Sequence, residues 1–359
     1  MKILRPISIL ASVLMLTASA EAQVSLTPPS AETPASKPAA KPKAKPAAAA
    51  RKPEAPAVTA KPAAPAAAPT ATVTPAPPPD DPNVDLVFGA YQRGQYKTAL
   101  ELATKRAQEN GDPKAMTMLG ELYANAMGVK RDYATAAEWY KRAADGGDRE
   151  GMFALAMLRL SGRGGPVNRE EAVKLLASSA KLGNPKAAYN LALLYLDGQT
   201  LPQDLKRAAE LLRLAADAGN PEAQYALATF YKEGTGVEKD IDKAVRLLQA
   251  ASLADNVDAE VEYAIALYNG TGTPKNEPAA VALLRKAAKQ NSPIAQNRLA
   301  RVLVSGQGAP MDKIEGLKWH LVAKTAGRGD PLLDEALAEL SPEDRARTEA
   351  AARKWLGGK

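Results

Sequence analysis

Apolar and polar positions repeat with a period of 36 residues over about residues 111–326 of this 359-residue chain. Each period holds two stretches of helical spacing that combine bulky apolar residues with small ones, as interlocking helices require. In the first stretch the bulky column is Leu119, Leu155, Leu191, Leu227, Tyr263 and Leu299, and the small column is Gly120, Ala156, Ala192, Ala228, Ala264 and Ala300. The pattern predicts an array of helix pairs that bury their apolar faces on their neighbours.

The second stretch of each period predicts the partner helix. Its bulky column is Trp139, Leu175, Leu211, Leu247, Leu283 and Trp319, beside a small column of Ala143, Ser179, Ala215, Ala251, Ala287 and Ala323. We expect the bulky column to fill the space between the helices.

Helix boundaries recur with the same period. One turn triplet separates successive pairs: Gly111-Asp112-Pro113, Gly147-Asp148-Arg149, Gly183-Asn184-Pro185, Gly219-Asn220-Pro221, Asp255-Asn256-Val257 and Asn291-Ser292-Pro293. Glycine tolerates the left-handed conformation that ends a helix, Asp, Asn or Ser caps the next helix, and proline fits its first position. Within each pair, a glycine-bearing loop precedes a second set of predicted N-caps, namely Asp132, Asn168, Asp204, Asp240, Asn276 and Asp312.

The run A-x-x-x-L-A-x-x-Y-x-x-G-x-G-V-x-x-D-x-x-K-A, from Ala223 to Ala244, resembles the Sel1-like repeat, a relative of the tetratricopeptide repeat. The resemblance covers six repeats over residues 111–328. It implies an all-α fold, a right-handed superhelical solenoid of antiparallel helix pairs. Arg159, Thr200 and Asp255 depart from the pattern at single positions, which affects loop detail and not the fold.

Shorter helical segments flank the six repeats. Residues 83–110, which include the run from Ala90 to Ala99, resemble a tetratricopeptide-like pair and are predicted to cap the N-terminal end. Residues 329–359 are predicted to form C-terminal capping helices, with Ser341 as an N-cap and Pro342 at the first helical position.

The first 82 residues have no helical apolar period. Residues 1–22 carry Lys2 and Arg5, an apolar run from Ile7 to Leu16 and small residues up to Ala22, which is the form of a secretory signal peptide. Residues 23–82 consist almost wholly of Ala, Pro, Lys, Thr and Ser, a composition that predicts a disordered, extended linker. We therefore expect an exported protein, periplasmic or secreted, that does not span a membrane once the signal is removed.

The net charge of +7 belongs mainly to the linker. Residues 23–79 hold seven Lys or Arg against two Glu, so the repeat region is close to neutral and lacks the broad basic surface that attracts nucleic acid. The linker lysines predict either contact with a cell wall or other anionic polymer, or no more than a solvated spacer. Both interpretations stay open.

The chain offers few groups for catalysis or metal binding. It has no cysteine and one histidine, His320, which stands in the column of Tyr140, Leu176, Leu212, Leu248 and Leu284 and is therefore expected to pack. Metal sites and nucleophilic triads favour His or Cys. We predict no catalytic residue, cofactor or metal, and a protein that is not an enzyme.

In solenoids of the tetratricopeptide type, variable positions of the first helix line the concave face. Three such columns are apolar in the middle repeats and polar at the ends. The predicted partner-binding residues are Phe153, Met157, Leu160, Tyr189, Leu193, Leu196, Tyr225, Ile265 and Tyr268. An apolar band with a polar rim fits an extended peptide or an amphipathic helix of a protein partner. Alternatively, strong curvature buries these side chains against one another.

The leading functional hypothesis is an exported protein–protein interaction scaffold or regulator of the cell envelope. The resemblance to exported Sel1-like regulators makes control of a signalling partner one version of it. The alternative is an assembly factor that associates with the cell wall or a polysaccharide through the basic linker.

Overall fold

The computed structural model describes residues 85–357, which form helices joined by short loops and contain no strand. The predicted signal peptide and linker lie outside the described residues. Twelve of the sixteen described helices form six pairs, repeats 1 to 6, each with a helix A followed by a helix B. The all-α solenoid of antiparallel helix pairs predicted from the 36-residue period is confirmed.

The helices follow one another in a regular order. The A helices are α3 (Pro113–Asn125), α5 (Arg149–Ser161), α7 (Pro185–Asp197), α9 (Pro221–Glu233), α11 (Val257–Asn269) and α13 (Pro293–Ser305); the B helices are α4 (Tyr133–Asp145), α6 (Arg169–Lys181), α8 (Leu205–Asp217), α10 (Ile241–Leu253), α12 (Glu277–Lys289) and α14 (Lys313–Thr325). Before them come α1 (Leu86–Gln92) and α2 (Tyr96–Asn110), and after them α15 (Pro331–Ala338) and α16 (Pro342–Trp355). From α1 to α14 each helix packs on the helices before and after it in the chain, so the contacts are local and repeated, whereas the last helix, α16, packs on α14.

Caps define the start of every helix in the six repeats. All twelve predicted N-cap side chains accept a hydrogen bond from a backbone N–H in the first turn of their helix. Each cap contributes about 1 kcal/mol. Asp255 and Asn291, which replace the turn glycine, adopt the same left-handed conformation at φ 59° and 64°.

The core runs through successive repeats and differs from the sequence prediction in the B helices. The predicted bulky column of helix A is buried in five of its six members, and only Tyr263 is half-buried. In helix B, however, Trp139, Leu175, Leu247 and Leu283 are only half-buried. Leu211 and Trp319 of the predicted bulky column are buried, and so is the whole predicted small column, but the bulky column that is buried in all six repeats is the next one: Tyr140, Leu176, Leu212, Leu248, Leu284 and His320. In four repeats the bulky core residue of helix B therefore lies one position later than predicted.

Glycines of the A–B loops hold consecutive repeats together. The second loop glycine of repeats 2, 4 and 5 lies against the first turn of helix B in the preceding repeat: Gly164 on Tyr133, Gly236 on Leu205 and Gly272 on Ile241. A Cβ on Gly164 or Gly236 would overlap the carbonyl oxygen of the residue beneath it. These glycines therefore serve close packing between repeats as well as the turn.

The C-terminal pair is attached to repeat 6 by a polar clamp. Asp330, the buried N-cap of α15, accepts hydrogen bonds from the Arg301 guanidinium and from Asn297 Nδ2, both on α13. Burial opposes ionisation of Asp330, but Arg301 and Asn297 outweigh it and hold the pKa of this carboxyl below its ordinary value. Trp355 of α16 packs edge-on against Trp319 of α14, with ring centroids 4.9 Å apart.

Acid should weaken this clamp. Because the folded-state pKa of Asp330 lies below its unfolded value, its stabilising effect is present above the ordinary pKa of 3.8 and is lost as the pH falls through the lowered value. We expect Asp330→Asn to lower the free energy of unfolding in urea at pH 7, and the difference from the wild type to shrink as the pH falls below 3.8. A stability difference between the two proteins that does not change with pH would contradict the assignment.

Candidate functional site

The nine predicted partner-binding residues occupy one side of the A helices. They lie at three positions spaced i, i+4 and i+7, which share a helix face. We call the side of α5, α7, α9 and α11 that carries them the A-helix surface. Neighbouring A helices touch directly: Thr117 Oγ1 donates to Asp148 Oδ2 at 2.6 Å, and Tyr225 Oη donates to Glu262 Oε1 at 3.2 Å. These contacts join repeat 1 to repeat 2 and repeat 4 to repeat 5.

The structure divides the nine residues by their exposure. Met157 is exposed over 37% of its surface. Phe153, Leu160, Tyr225 and Ile265 are half-buried. The buried members are Tyr189, Leu193, Leu196 and Tyr268, each at most 8% exposed. Packing between repeats therefore accounts for these four, and the accessible apolar part of the surface lies mainly on α5.

Acidic residues of α9 and α11 form an acidic part of the A-helix surface, next to Tyr189 and Tyr225. Asp258 and Glu262 are one turn apart on α11, and Glu222 stands in the first turn of α9. Lys232 Nζ lies 2.8 Å from Glu262 Oε2 and is the cation that balances this carboxylate. These acids stand outside the three columns that predicted the partner-binding residues, so the sequence prediction did not include them.

The acidic part changes the ionisation of its neighbours. Burial raises the pKa of Asp258, and the adjacent Glu262 carboxylate raises it further. Burial, then Glu262 and Asp258, raise the pKa of the Tyr225 hydroxyl above its usual range, and burial with Glu222 raises the pKa of Tyr189 to about 12. Both tyrosines are therefore neutral hydrogen-bonding groups at physiological pH.

A separate cleft lies outside the A-helix surface. A cleft of about 550 Å³ opens between α8 and the loop that joins α9 to α10, lined by residues that include Lys206, Arg213, Lys239 and Lys243. Several of its charges are already paired within the chain, such as Lys243 with Asp240 at 2.9 Å. Its lining mixes both signs of charge, so we do not assign a ligand to it.

The surroundings of His320 indicate that it packs in the core and has a structural role. Its ring is fully buried in α14, and Nε2 lies 2.8 Å from Asp334 Oδ1 of α15, which also pairs with Lys324. Over residues 85–357, His, Asp and Glu nowhere gather in a group of three that fits a metal ion. The same residues include no helix with the length and apolar character needed to span a membrane.

The described part of the chain is thus an α-solenoid of helical-hairpin repeats, a class that generally mediates protein–protein interactions through extended surfaces. A model of the Sel1 repeat matches six consecutive segments: 113–148, 149–184, 185–220, 221–256, 257–292 and 293–327. Because these segments cover more than half of the chain, the protein belongs to the Sel1 repeat family.

Solved structures support the same architecture. A Sel1 repeat protein from Oxalobacter formigenes is 26% identical, with a TM-score of 0.60, and the match covers 67% of this chain and 98% of that one. The protein c5321, a protective antigen present in uropathogenic Escherichia coli strains and described as having an SLR fold, is 25% identical, with a TM-score of 0.52 and coverage of 75% and 67%. Comparison with curated proteins returns no match.

Proposed function

We propose that the protein is an exported scaffold of the cell envelope that binds a peptide or helix of a protein partner on its A-helix surface. The observation that carries the proposal is the exposed apolar side chain of Met157, flanked on α5 by half-buried Phe153 and Leu160. Other columns of α5 supply the core, among them Leu155 and Ala156, so stacking of the repeats does not require an apolar residue at Met157.

Substitution of Met157 tests partner binding. We expect Met157→Glu to remove a partner that co-purifies with the wild-type chain from its native cells, because a carboxylate would have to be desolvated in the apolar contact. The matched control is Leu253→Glu, since Leu253 lies on α10, outside the A-helix surface, and is 80% exposed. Thermal midpoints of both variants should stay close to that of the wild type. Retention of the same partner by Met157→Glu would contradict the proposal.

Export rests on the sequence of residues 1–22 and on the cysteine-free, proline-rich segment that follows. The mature chain from native cells should begin at Gln23, and a chain that retains Met1 would oppose export.

The linker lysines also support a second candidate, association with a cell wall or polysaccharide. Pull-down by insoluble cell wall that depends on residues 23–82 and is unaffected by Met157→Glu would favour that candidate.

A further inference from the structure

The A-helix surface has apolar side chains in repeat 2 and acidic side chains in repeats 4 and 5. Its apolar part is formed by Phe153, Met157 and Leu160 of repeat 2. Its acidic part, in repeats 4 and 5, contains Glu222, Asp258 and Glu262. Glu262 is balanced by Lys232, whereas no cation among the described residues pairs with Asp258 or Glu222. The acidic part therefore keeps an excess of negative charge.

The repeats provide an internal test of whether the fold needs these acids. The position of Asp258 is held in the six repeats by Lys114, Glu150, Lys186, Glu222, Asp258 and Ile294, and that of Glu262 by Met118, Ala154, Asn190, Ala226, Glu262 and Arg298. Cationic, anionic and apolar residues occupy both positions, while the A helices keep the same length. The stacking of repeats therefore does not explain the acids of repeat 5.

Asp258 and Glu262 also act against the stability of the fold. Like charges at i and i+4 of a helix destabilise it by about 0.2–0.5 kcal/mol. Partial burial and the Glu262 carboxylate both raise the pKa of Asp258 and so disfavour its charged form, although the residue remains exposed to solvent. A cation from a partner, placed between the two carboxylates, would remove this cost.

Resting on the proposed function, we infer that the partner segment is basic as well as apolar: apolar side chains lie on α5, and Lys or Arg side chains lie against Glu222, Asp258 and Glu262. Charge complementarity with the acidic part favours a basic segment at this surface. Nucleic acid is disfavoured because phosphates meet carboxylates at this surface. An arginine fits best, since its planar guanidinium can bond two carboxylate oxygens at once.

The spacing of the helices sets the length of the segment. Helices in contact lie about 8–10 Å apart, so the three steps from α5 to α11 span roughly 30 Å. An extended chain covers that distance with about nine residues. A dodecapeptide is therefore long enough to reach both parts of the surface.

The test uses random dodecapeptides displayed on phage and selected on the full-length chain. We expect the recovered peptides to combine aliphatic or aromatic residues with Lys or Arg. A synthetic peptide of the recovered consensus should bind the double variant Asp258→Asn, Glu262→Gln at least tenfold more weakly than the wild type, as measured by fluorescence anisotropy. Binding to the wild type should also weaken as salt concentration rises.

A matched variant controls for loss of net charge. Glu170→Gln with Glu210→Gln removes two exposed carboxylates of the B helices α6 and α8, and peptide affinity should not change. The double variant of α11 should keep a thermal midpoint close to that of the wild type, because relief of the like-charge repulsion offsets loss of the exposed ion pair between Lys232 and Glu262.

The outcomes separate this inference from the proposed function. Recovery of peptides without Lys or Arg, or an affinity that the α11 substitutions leave unchanged, would overturn the inference of a basic partner. Loss of binding in Met157→Glu would still support the A-helix surface as the binding site. If Met157→Glu and the α11 variant both bind the peptide as tightly as the wild type, or if no recovered peptide depends on either part, both the inference and the proposed function are overturned.

Discussion

Gly236→Ala should destabilise the solenoid by about 4 kcal/mol, a loss that few single substitutions produce. Two effects add at this position. The left-handed φ of 65° costs an L-residue roughly 1–2 kcal/mol. The added Cβ also overlaps the Leu205 carbonyl, so repeats 3 and 4 must move apart and lose part of the core between them.

Gly219→Ala is the matched control for this prediction. Gly219 has a φ of 84°, but no heavy atom lies within 4 Å of a Cβ built on it. It should therefore show only the conformational cost, about 1–2 kcal/mol. Thermal and urea denaturation followed by circular dichroism measure both variants. Equal losses would mean that the contact between Gly236 and Leu205 does not hold the repeats together.

Lys286→Met should be the second most damaging change, because it leaves a buried carboxylate without its cation. Glu260 of α11 is fully buried, and its Oε1 lies 2.6 Å from Lys286 Nζ on α12. Loss of one partner from a fully buried pair costs roughly 3–5 kcal/mol. Because the Lys286 side chain is 44% exposed, we expect about 2 kcal/mol, measured by urea denaturation.

A second substitution should rescue this loss. At the position of Glu260, repeats 4 and 6 carry Gln224 and Gln296, whose side-chain amides donate to the carbonyl oxygens of Ala216 and Ala288. Glu260→Gln can make the corresponding bond to Ser252 and carries no charge. The double variant should therefore recover to within about 1 kcal/mol of the wild type. A double variant as unstable as Lys286→Met would show that the charge of Glu260 is not the cause.

The fold was predictable from the sequence because the same N-caps and apolar columns recur in every repeat. Twelve N-caps and the bulky column of the A helices were visible from a single period, and the structure confirms them. The register of helix B could not be read in the same way, since Trp139 and Tyr140 are both large and apolar. Packing decides between them: Gly120 leaves room for the Tyr140 ring, whereas Trp139 stays half-buried with the Arg142 guanidinium over its ring.

Contacts between repeats were less predictable. The sequence shows a glycine at position 236 but not that Leu205, 31 residues earlier, lies beneath it. Burial of Tyr189, Leu193, Leu196 and Tyr268 likewise depends on how closely neighbouring A helices approach. The six-fold alignment did contain a signal for the acids of α11, because Asp258 and Glu262 stand in columns of varied chemistry.

Crosslinking in native cells would show whether a protein partner binds at the A-helix surface. A photoreactive amino acid replaces Met157 in one version of the full-length protein and Leu253 in another, and both are irradiated in native cells. Our account predicts a discrete adduct with one protein at Met157 and none at Leu253, and the Met157→Glu variant should fail to bind that protein after purification. Adducts that form at Leu253 but not at Met157 would contradict it.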